Sequence, residues 1–498
     1  MRAVENALGI TIPDNARLVR NLIHGIQFVQ DHTMHFYHLH ALDWVDLLNA
    51  LEADPAQAAE LAQSISKWPH NSKVQFRAVQ QRLRAFVESG QLGLFANAYW
   101  GHPAYKLPPA ANLMAVAHYL EALDWQKDVI RMHAVLGGKN PHMQNFLVGG
   151  TALPINPESP TALNAGDLGQ LREMAERARV FVEQVYFPDL LAIAGFYKEW
   201  ASLGSGVGNY LAYGEFPSDI RGDPEKLFLP RGVILNKDLS RVFPFNHEKV
   251  TEYVARSWYD YSEGAAQAKH PWQGETRPHY TGPQPPFDFL ETDNKYSWLK
   301  APRYDDHPME AGPLARMLVA YGKGHSRVRA LVDTVLSKLG VGPEALFSTL
   351  GRTAARCVET LVVAQQLPVW LDELAANMKR GQLIGCNVER WDPATWSKEA
   401  QGVGFEEAPR GALGHWVRIR EGTIANYQCI VPTTWNCSPR DARGARGACE
   451  EALLGTPVAD PERPLEVLRT VHSFDPCMAC AVHIVDKDRG ERIRVRVA

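Results

Sequence analysis

Apolar residues recur at three- and four-residue spacing through most of this 498-residue chain. That spacing places them on one face of an α-helix, and such a face must be buried against a neighbouring element. Hydrophobic residues make up 45% of the chain, which is enough for a large core. We therefore predict a mainly α protein folded as one large unit. The predicted helices cover residues 3–8, 15–50, 56–67, 74–89, 110–135, 164–203 and 310–380.

Polar residues and prolines suggest where some of these helices begin or break. Asp14 or Asn15 is predicted to cap the helix that runs to about Ala50, because short polar side chains accept hydrogen bonds from first-turn amides. Pro188 is predicted to kink or break the helical segment 164–203, because proline has no amide hydrogen to donate.

Short β segments interrupt the helical pattern. Glycines and β-branched runs predict small strands within residues 204–250. Alternating side chains on both sides of Glu421–Gly422 predict a β-hairpin, and the final residues ERIRVRVA predict a short strand. The proline- and aromatic-rich residues 270–290 are typical of a long ordered surface loop. The predicted fold is thus mainly α with small β insertions.

Charge and cysteine usage exclude several classes of protein. The net charge is -4, so the basic surface of a nucleic-acid-binding protein is missing and nucleic acid is not expected as a partner. The chain has no run of 18 or more apolar residues, the length needed to cross a membrane. The opening MRAVENALGI lacks the apolar stretch of a secretory signal. Seven cysteines at irregular spacing argue against a disulfide framework.

The sharpest chemical feature is the stretch DPCMACAVH, residues 475–483. Two thiolates with two residues between them, Cys477 and Cys480, can bind one soft metal ion, and His483 lies near enough to join them. The residues alone leave other readings open: half of a structural zinc site, a redox pair, or two small buried hydrophobic residues. One pair cannot fill a metal's coordination shell, so further ligands must come from elsewhere.

This stretch resembles the C-terminal nickel-binding motif of nickel–iron hydrogenase large subunits, Asp-Pro-Cys-x-x-Cys-x-x-His. The resemblance covers essentially the whole chain and is strongest to the membrane-associated, respiratory hydrogen-uptake type. It implies the mainly helical large-subunit fold of that family. Other blocks similar to the family are HFYHLHALDW (35–44), GGKNPH (137–142), YSWLKAPRY (296–304), MEAGPLAR (309–316), APRGALGHW (408–416) and VPTTWNCSPRD (431–441).

The resemblance implies a nickel–iron centre held by four cysteine thiolates, with CO and cyanide ligands on the iron. In this chain Cys477 would be a terminal nickel ligand, and Cys480 would bridge nickel and iron. His483 would bind a nearby magnesium ion, toward which the backbone carbonyl of Cys429 would also point.

The resemblance also implies the residues around the metals and a reaction, the heterolytic oxidation of H2. Arg410 would lie over the open side of the metals, held by Asp31 and Asp475, while Thr433 would bond a cyanide and Pro409 would line that pocket. Because a guanidinium has a pKa above about 12, a terminal thiolate is expected to be the main base. From the residues alone, Arg410 is expected to be a surface arginine that caps a turn, Asp31 could be a solvated helix charge and Thr433 could be a strand residue.

Family relationships also imply partners and a location. Electrons would pass to iron–sulfur clusters of a small subunit, since this chain has too few cysteines for clusters of its own. The small subunit would carry a twin-arginine signal that exports the pair to the periplasmic side of the membrane, where a cytochrome b accepts electrons. A maturation endopeptidase would remove residues 484–498 from the catalytic region, residues 1–483.

The family's second cysteine pair, Arg-x-Cys-Gly-x-Cys-x-x-x-His, precedes a helix much like RAVENALGI, near which this chain begins. We expect that segment to be missing from the sequence, so this chain alone, with two of the four thiolates, is expected to be inactive. Two other hypotheses stay open: a truncated or structural relative without metal, and a structural protein that binds zinc through Cys477, Cys480 and His483.

Overall fold

Two long helices cross at the centre of the fold, α2 (Asp14–Met34) and α11 (Thr349–Lys379). Gly25 lies at their crossing, because a Cβ there would come within 2.8 Å of Trp370 and 2.9 Å of Leu367. Both helices are buried over most of their length, so they form the core on which the other helices pack. The computed structural model describes residues 1–90, 93–95, 99–219, 223, 225–282, 292–477, 481–485 and 492–496.

Helices dominate the part of the chain that is described, which confirms the predicted mainly α fold. None of them is long and apolar enough to cross a membrane. The other helices are α1 (Arg2–Leu8), α3 (Leu47–Leu51), α4 (Pro55–Ile65), α5 (Lys73–Ser89), α6 (Pro109–Gly137), α7 (Ala165–Phe181), α8 (Phe187–Phe196), α9 (Pro313–Gly322), α10 (Ser326–Leu339), α12 (Pro432–Asn436), α13 (Ala448–Leu453) and α14 (Leu465–Ser473).

Helix α2 begins at Asp14, within one residue of the predicted start, but the predicted side-chain cap is wrong. Its N-cap is Pro13, which makes no side-chain capping bond, and Asp14 and Asn15 lie within the first turn. Asp14 Oδ1 accepts from Arg17 Nε in the next turn at 2.7 Å, and Asp14 Oδ2 and Asn15 Oδ1 both accept hydrogen bonds from the distant Asn377. Tertiary contacts with α11 therefore replace the local capping that the sequence suggested.

The predicted end of α2 at about Ala50 is also wrong, because the regular helix ends at Met34. The next residues, His35–His40, form a π-helical turn. His35 Nε2 bonds to the carbonyl of His472 at 2.8 Å, and His40 Nε2 lies 3.0 Å from Thr353 Oγ1. The wider turn therefore aims these histidines at partners far along the chain.

Pro188 marks a break in the helical segment 164–203, as predicted. Helix α7 ends at Phe181, a π-helical turn spans Val182–Tyr186, and Pro188 lies in the first turn of α8. A proline is tolerated there because the first amides of a helix have no intrahelical acceptor.

Small antiparallel sheets lie around the helical core. The pairs are β1 with β2, β3 with β6, β4 with β5, β7 with β8 and β12 with β13, and β9, β10 and β11 form one three-stranded sheet. The strands are β1 (Phe146–Leu147), β2 (Gly150–Thr151), β3 (Tyr210–Ala212), β4 (Glu215–Pro217), β5 (Leu227–Leu229), β6 (Gly232–Ile234), β7 (Val250–Tyr253), β8 (Ala301–Tyr304), β9 (Glu399–Ala408), β10 (Gly411–Arg420), β11 (Thr423–Ile430), β12 (Ala481–Val485) and β13 (Arg492–Arg496).

The predicted hairpin is confirmed as β10 and β11. Glu421 and Gly422 join the strands with φ of 45° and 72°, the left-handed conformation that a tight two-residue turn requires. The strands predicted within residues 204–250 and near the carboxyl end are present as well. Of the predicted loop 270–290, residues 283–290 lie outside the described residues.

Helix α1 lies directly on β9, at two glycines on one face of that strand. A Cβ at Gly402 would lie 2.2 Å from the carbonyl oxygen of Ala3, and one at Gly404 would lie 2.5 Å from the Ala3 nitrogen. Arg2 fixes the start of the helix through hydrogen bonds of 2.5 and 3.1 Å to the buried carboxylate of Glu215. Glycine is required at these two strand positions because the helix backbone occupies the space of a side chain.

Candidate metal centre

A two-residue turn, Pro409–Arg410, joins β9 to β10, with Ala408 paired to Gly411. Neither turn residue has a positive φ, so this turn differs from the primed types that close two-residue hairpins unaided. Pro409 is buried, while the Arg410 side chain keeps 32% of its surface exposed. The sheet therefore presents a guanidinium at its tip.

Two carboxylates from different parts of the chain converge on Arg410. Asp475 Oδ1 lies 3.2 Å from Arg410 Nε, and Asp31 Oδ2 lies 3.9 Å from Arg410 Nη1. Asp31 comes from α2, and Asp475 follows α14. The structure thus brings together the three residues that the resemblance links, as ion pairs rather than hydrogen bonds, since Arg410 Nε has no hydrogen-bond partner among the described residues.

Backbone geometry places Asp475. It adopts a φ of 52°, a left-handed conformation that aspartate tolerates better than most residues, and its amide donates to the His472 carbonyl at 2.9 Å. Its side chain is 3% exposed. Burial raises the pKa of Asp31, and the nearby Asp475 acts in the same direction, against the opposing effect of Arg410.

The cysteine motif begins beside a short helix. The amide of Cys477 donates to Thr433 Oγ1 at 3.1 Å. Thr433 lies in helix α12, so the alternative that it is a strand residue is wrong. Cys477 itself is exposed. As an acceptor from Cys477, the Thr433 hydroxyl keeps its own hydrogen for donation to a further group.

The structure describes some of the other predicted metal ligands but not all of them. Cys480 lies outside the described residues, and His483 falls in strand β12. Cys429 lies in β11 opposite His415, with its residue exposed. Of the two predicted thiolate ligands, Cys477 and Cys480, the structure describes Cys477, and it places that residue next to Thr433.

A second buried guanidinium, that of Arg356 on α11, was missed by sequence reasoning. Its Nη2 donates to the carbonyl of Ser473 at 2.9 Å, while its Nε and Nη1 have no hydrogen-bond partner among the described residues. Burial lowers the pKa of Arg356, and Asp475 opposes that shift. Asp475, whose charge acts on Arg356, also has one buried oxygen, Oδ2, with no hydrogen-bond partner among the described residues.

The signal for this residue was present in the sequence. Arg352, Arg356 and Glu359 follow each other at four- and three-residue spacing on α11, and all three are at most 3% exposed. Charged residues on the buried face of an apolar helix are expensive unless they are paired, so they mark functional or structural networks.

The described residues suit a soft metal that carries anionic ligands. Cys477 supplies a thiol bonded through its amide to Thr433, and Arg410 and Arg356 supply positive charge beside Asp475, two residues before Cys477. Thiolates prefer soft transition metals, and buried anionic ligands need such donors to offset the loss of water.

Comparisons with known proteins agree with this chemistry. A sequence profile described as nickel-dependent hydrogenase matches residues 1–483. The uptake hydrogenase large subunit of Bradyrhizobium diazoefficiens is 51% identical over 511 residues, covering 100% of this chain and 85% of that protein. The hydrogenase-1 large chain of Escherichia coli strain K12 is 47% identical, with 99% of this chain and 85% of that protein covered.

A solved structure is similar as well. The Ni-Fe-Se hydrogenase from D. vulgaris Hildenborough in the reduced state has a TM-score of 0.71 and 31% sequence identity, covering 96% of this chain and 84% of that chain. The profile match, the relatives and the fold all point the same way, and the chain belongs to the nickel-dependent hydrogenase family.

Proposed function

We propose that this chain is the large, catalytic subunit of a nickel–iron hydrogenase that oxidises H2 and passes electrons to iron–sulfur clusters of a small subunit. The observation that carries the proposal is the placement of Arg410 between Asp31 and Asp475, in the same region where Cys477 meets Thr433. Relatives whose names describe them as uptake hydrogenase large subunits support the direction of the reaction.

Cys477 and Cys480 would hold the nickel–iron pair through their sulfur atoms. When bound, the pair supplies a soft, electron-rich centre that polarises H2. Arg410 and Thr433 would donate hydrogen bonds to cyanide ligands on the iron, with Pro409 lining the pocket. His483 and the carbonyl of Cys429 would bind magnesium. These ligand assignments rest on the motif and on the donors described above.

The chain's own groups would manage the proton that H2 oxidation releases. A guanidinium keeps its proton at neutral pH, so Arg410 polarises and orients, and the Cys477 thiolate Sγ accepts the proton. Asp475 and Asp31 hold the guanidinium in place. The Thr433 hydroxyl fixes the backbone of Cys477 and hence the direction of the thiolate.

The wider assembly follows from the same proposal. The small subunit would export the pair to the periplasmic side of the membrane and deliver electrons to a cytochrome b. An endopeptidase would cut after His483. The family profile ends at residue 483, which supports that boundary, and the boundary lies within strand β12. Cutting there would therefore remove the strand pairing between β12 and β13.

The decisive experiment is metal analysis of the complete protein purified with its partner, together with hydrogen-dependent dye reduction. Nickel plus iron with H2 oxidation is the expected result. Zinc alone, or neither metal, would contradict the proposal. Cys477→Ser should abolish nickel retention and activity, and Cys480→Ser should abolish H2 oxidation. Cys386→Ser, a change to a half-buried thiol on another segment, should leave both unchanged.

A further inference from the structure

Arg316 of α9 is fully buried, and its side chain uses every N–H donor that it has. Nε and Nη2 each donate to Glu359 at 2.6 Å, and Nη1 donates to Glu407 at 2.8 Å. The remaining two bonds go to the carbonyls of Ala408 at 3.0 Å and Pro409 at 2.8 Å. A guanidinium has five N–H groups in a rigid plane, so this one is saturated and fixes its partners relative to each other.

Two of those bonds hold the turn that carries Arg410. The turn does not have the left-handed residues that close a two-residue hairpin, so its shape depends on contacts from outside the sheet. The start of α9 supplies these contacts, because a Cβ at Gly312 would lie 3.0 Å from the Arg410 carbonyl oxygen. On the other side of the same contact, a Cβ at Gly411 would lie 2.7 Å from the Gly312 nitrogen.

The other bonds of Arg316 lead to α2. Glu359 Oε2 also bonds His32 Nε2 at 2.8 Å, and His32 is the neighbour of Asp31 in the helix. The guanidinium of Arg316 lies over the ring of Phe28, 4.9 Å from its centroid. One side chain therefore contacts both the turn that presents Arg410 and the helix that presents its carboxylate partner.

We propose that Arg316 is a positioning residue that sets the place of Arg410 relative to Asp31 and hence to the metal centre. Its catalytic consequence rests on the proposed function, whereas the positioning itself does not. A lysine could not replace it, because one compact ammonium cannot reach two carboxylates and two carbonyls in fixed directions. If Arg316 only stabilised the fold, a conservative substitution such as Arg316→Lys would leave the Pro409–Arg410 turn unaffected.

The first test is amide hydrogen exchange in the complete protein with its partner subunit. Arg316→Lys should speed exchange of the amides of Ala408, Arg410 and Gly411 about fivefold, the effect of losing one hydrogen bond; Pro409 has no amide hydrogen. The matched control is Arg303→Lys, since Arg303 is as deeply buried and also makes five hydrogen bonds, to Asp441, Ser438 and three carbonyls elsewhere. An unchanged rate at 408–411 in Arg316→Lys, or the same increase in both variants, would overturn the proposal.

The second test is kinetic coupling. Arg316→Lys should slow H2 oxidation per nickel by about tenfold to a hundredfold, the cost of a small misplacement. In an Arg410→Lys background the same change should cost almost nothing further, because the group it positions is already altered. Losses that multiply would show that Arg316 acts independently of Arg410 and would overturn the proposal.

The two tests separate this proposal from the proposed function. If the wild-type protein oxidised no H2, the proposed function would fail, and exchange would still decide whether Arg316 holds the turn. If Arg316→Lys did not fold, wild-type exchange gives the answer. The amide of Arg410 should then exchange far more slowly than the amides of the exposed turn Glu421–Gly422, and equal rates would contradict the proposal.

Discussion

Replacing Asp475 with asparagine tests how far the Arg410 arrangement depends on charge. Asparagine has the shape of aspartate and also tolerates the left-handed φ of 52° at this position, so the backbone should persist. The change removes the negative charge 3.2 Å from Arg410 Nε and leaves Asp31 at 3.9 Å as the remaining acid.

The size of the effect follows from this geometry. At 3.2 Å and an effective dielectric constant of about 20, the attraction between the Asp475 carboxylate and the Arg410 guanidinium is about 5 kcal/mol before desolvation. Desolvation of the buried carboxylate and solvent screening of an arginine that is 32% exposed reduce this to about 2 kcal/mol. Since 1.36 kcal/mol is a factor of ten, the oriented guanidinium should be populated about 30-fold less.

The assay is hydrogen-dependent dye reduction, expressed per bound nickel, so that loss of metal is not mistaken for loss of rate. The control is Asp441→Asn, which breaks a fully buried pair with Arg303 at 2.9 Å that does not contact Arg410. The control should lower the melting temperature and leave the rate per nickel unchanged. If Asp475→Asn stayed within about threefold of wild type, the charge would not be what orients Arg410.

Three further changes test other parts of the structure. Thr433→Val removes the acceptor for the Cys477 amide and should lower the rate per nickel about fivefold, the equivalent of about 1 kcal/mol, whereas Thr433→Ser should retain activity. Gly402→Ala places a Cβ 2.2 Å from the Ala3 carbonyl oxygen and should cost about 1–3 kcal/mol of stability in a thermal melt, while Gly169→Ala, with nothing within 4 Å, should stabilise α7 by about 0.5–1 kcal/mol. His40 and His472 hold the pKa of Asp43 at about 2, below its ordinary 3.8, despite its burial. The folded state therefore binds fewer protons, so this contribution, about 2 kcal/mol, is complete above pH 3.8 and is lost as the pH falls through about 2. The stability difference between wild type and Asp43→Asn in urea should shrink across that range, and a constant difference would contradict the assignment.

Local signals in the sequence predicted most of the helices, because the apolar spacing of a helix is set by residues close in sequence. They did not predict the π-helical turn at His35–His40, since its partners His472 and Thr353 lie more than 300 residues away. Strand β9 was missed for a related reason. Gly402 and Gly404 have no side chains to complete an alternating pattern, and their role is visible only when α1 is in place.

The candidate site was predicted through resemblance of short blocks, and the structure brings Arg410, Asp31 and Asp475 together. Periodicity alone would have left Arg410 as an ordinary turn residue. The support behind the site was not predicted, because Arg316 and Glu359 meet only through tertiary packing of α9 and α11. Sequence can show that a charge lies on a buried helix face, but which partner neutralises it depends on the fold.

Helix α1 packs on strand β9, which ends at Ala408, next to the Pro409–Arg410 turn. At Gly402 the backbone of α1 lies directly against the backbone of β9, with no side chain between them. A displacement of α1 would therefore move β9 and the turn that carries Arg410. A substitution or cross-link that shifts helix α1 should therefore also shift the β9–β10 turn and the Arg410 side chain that it carries.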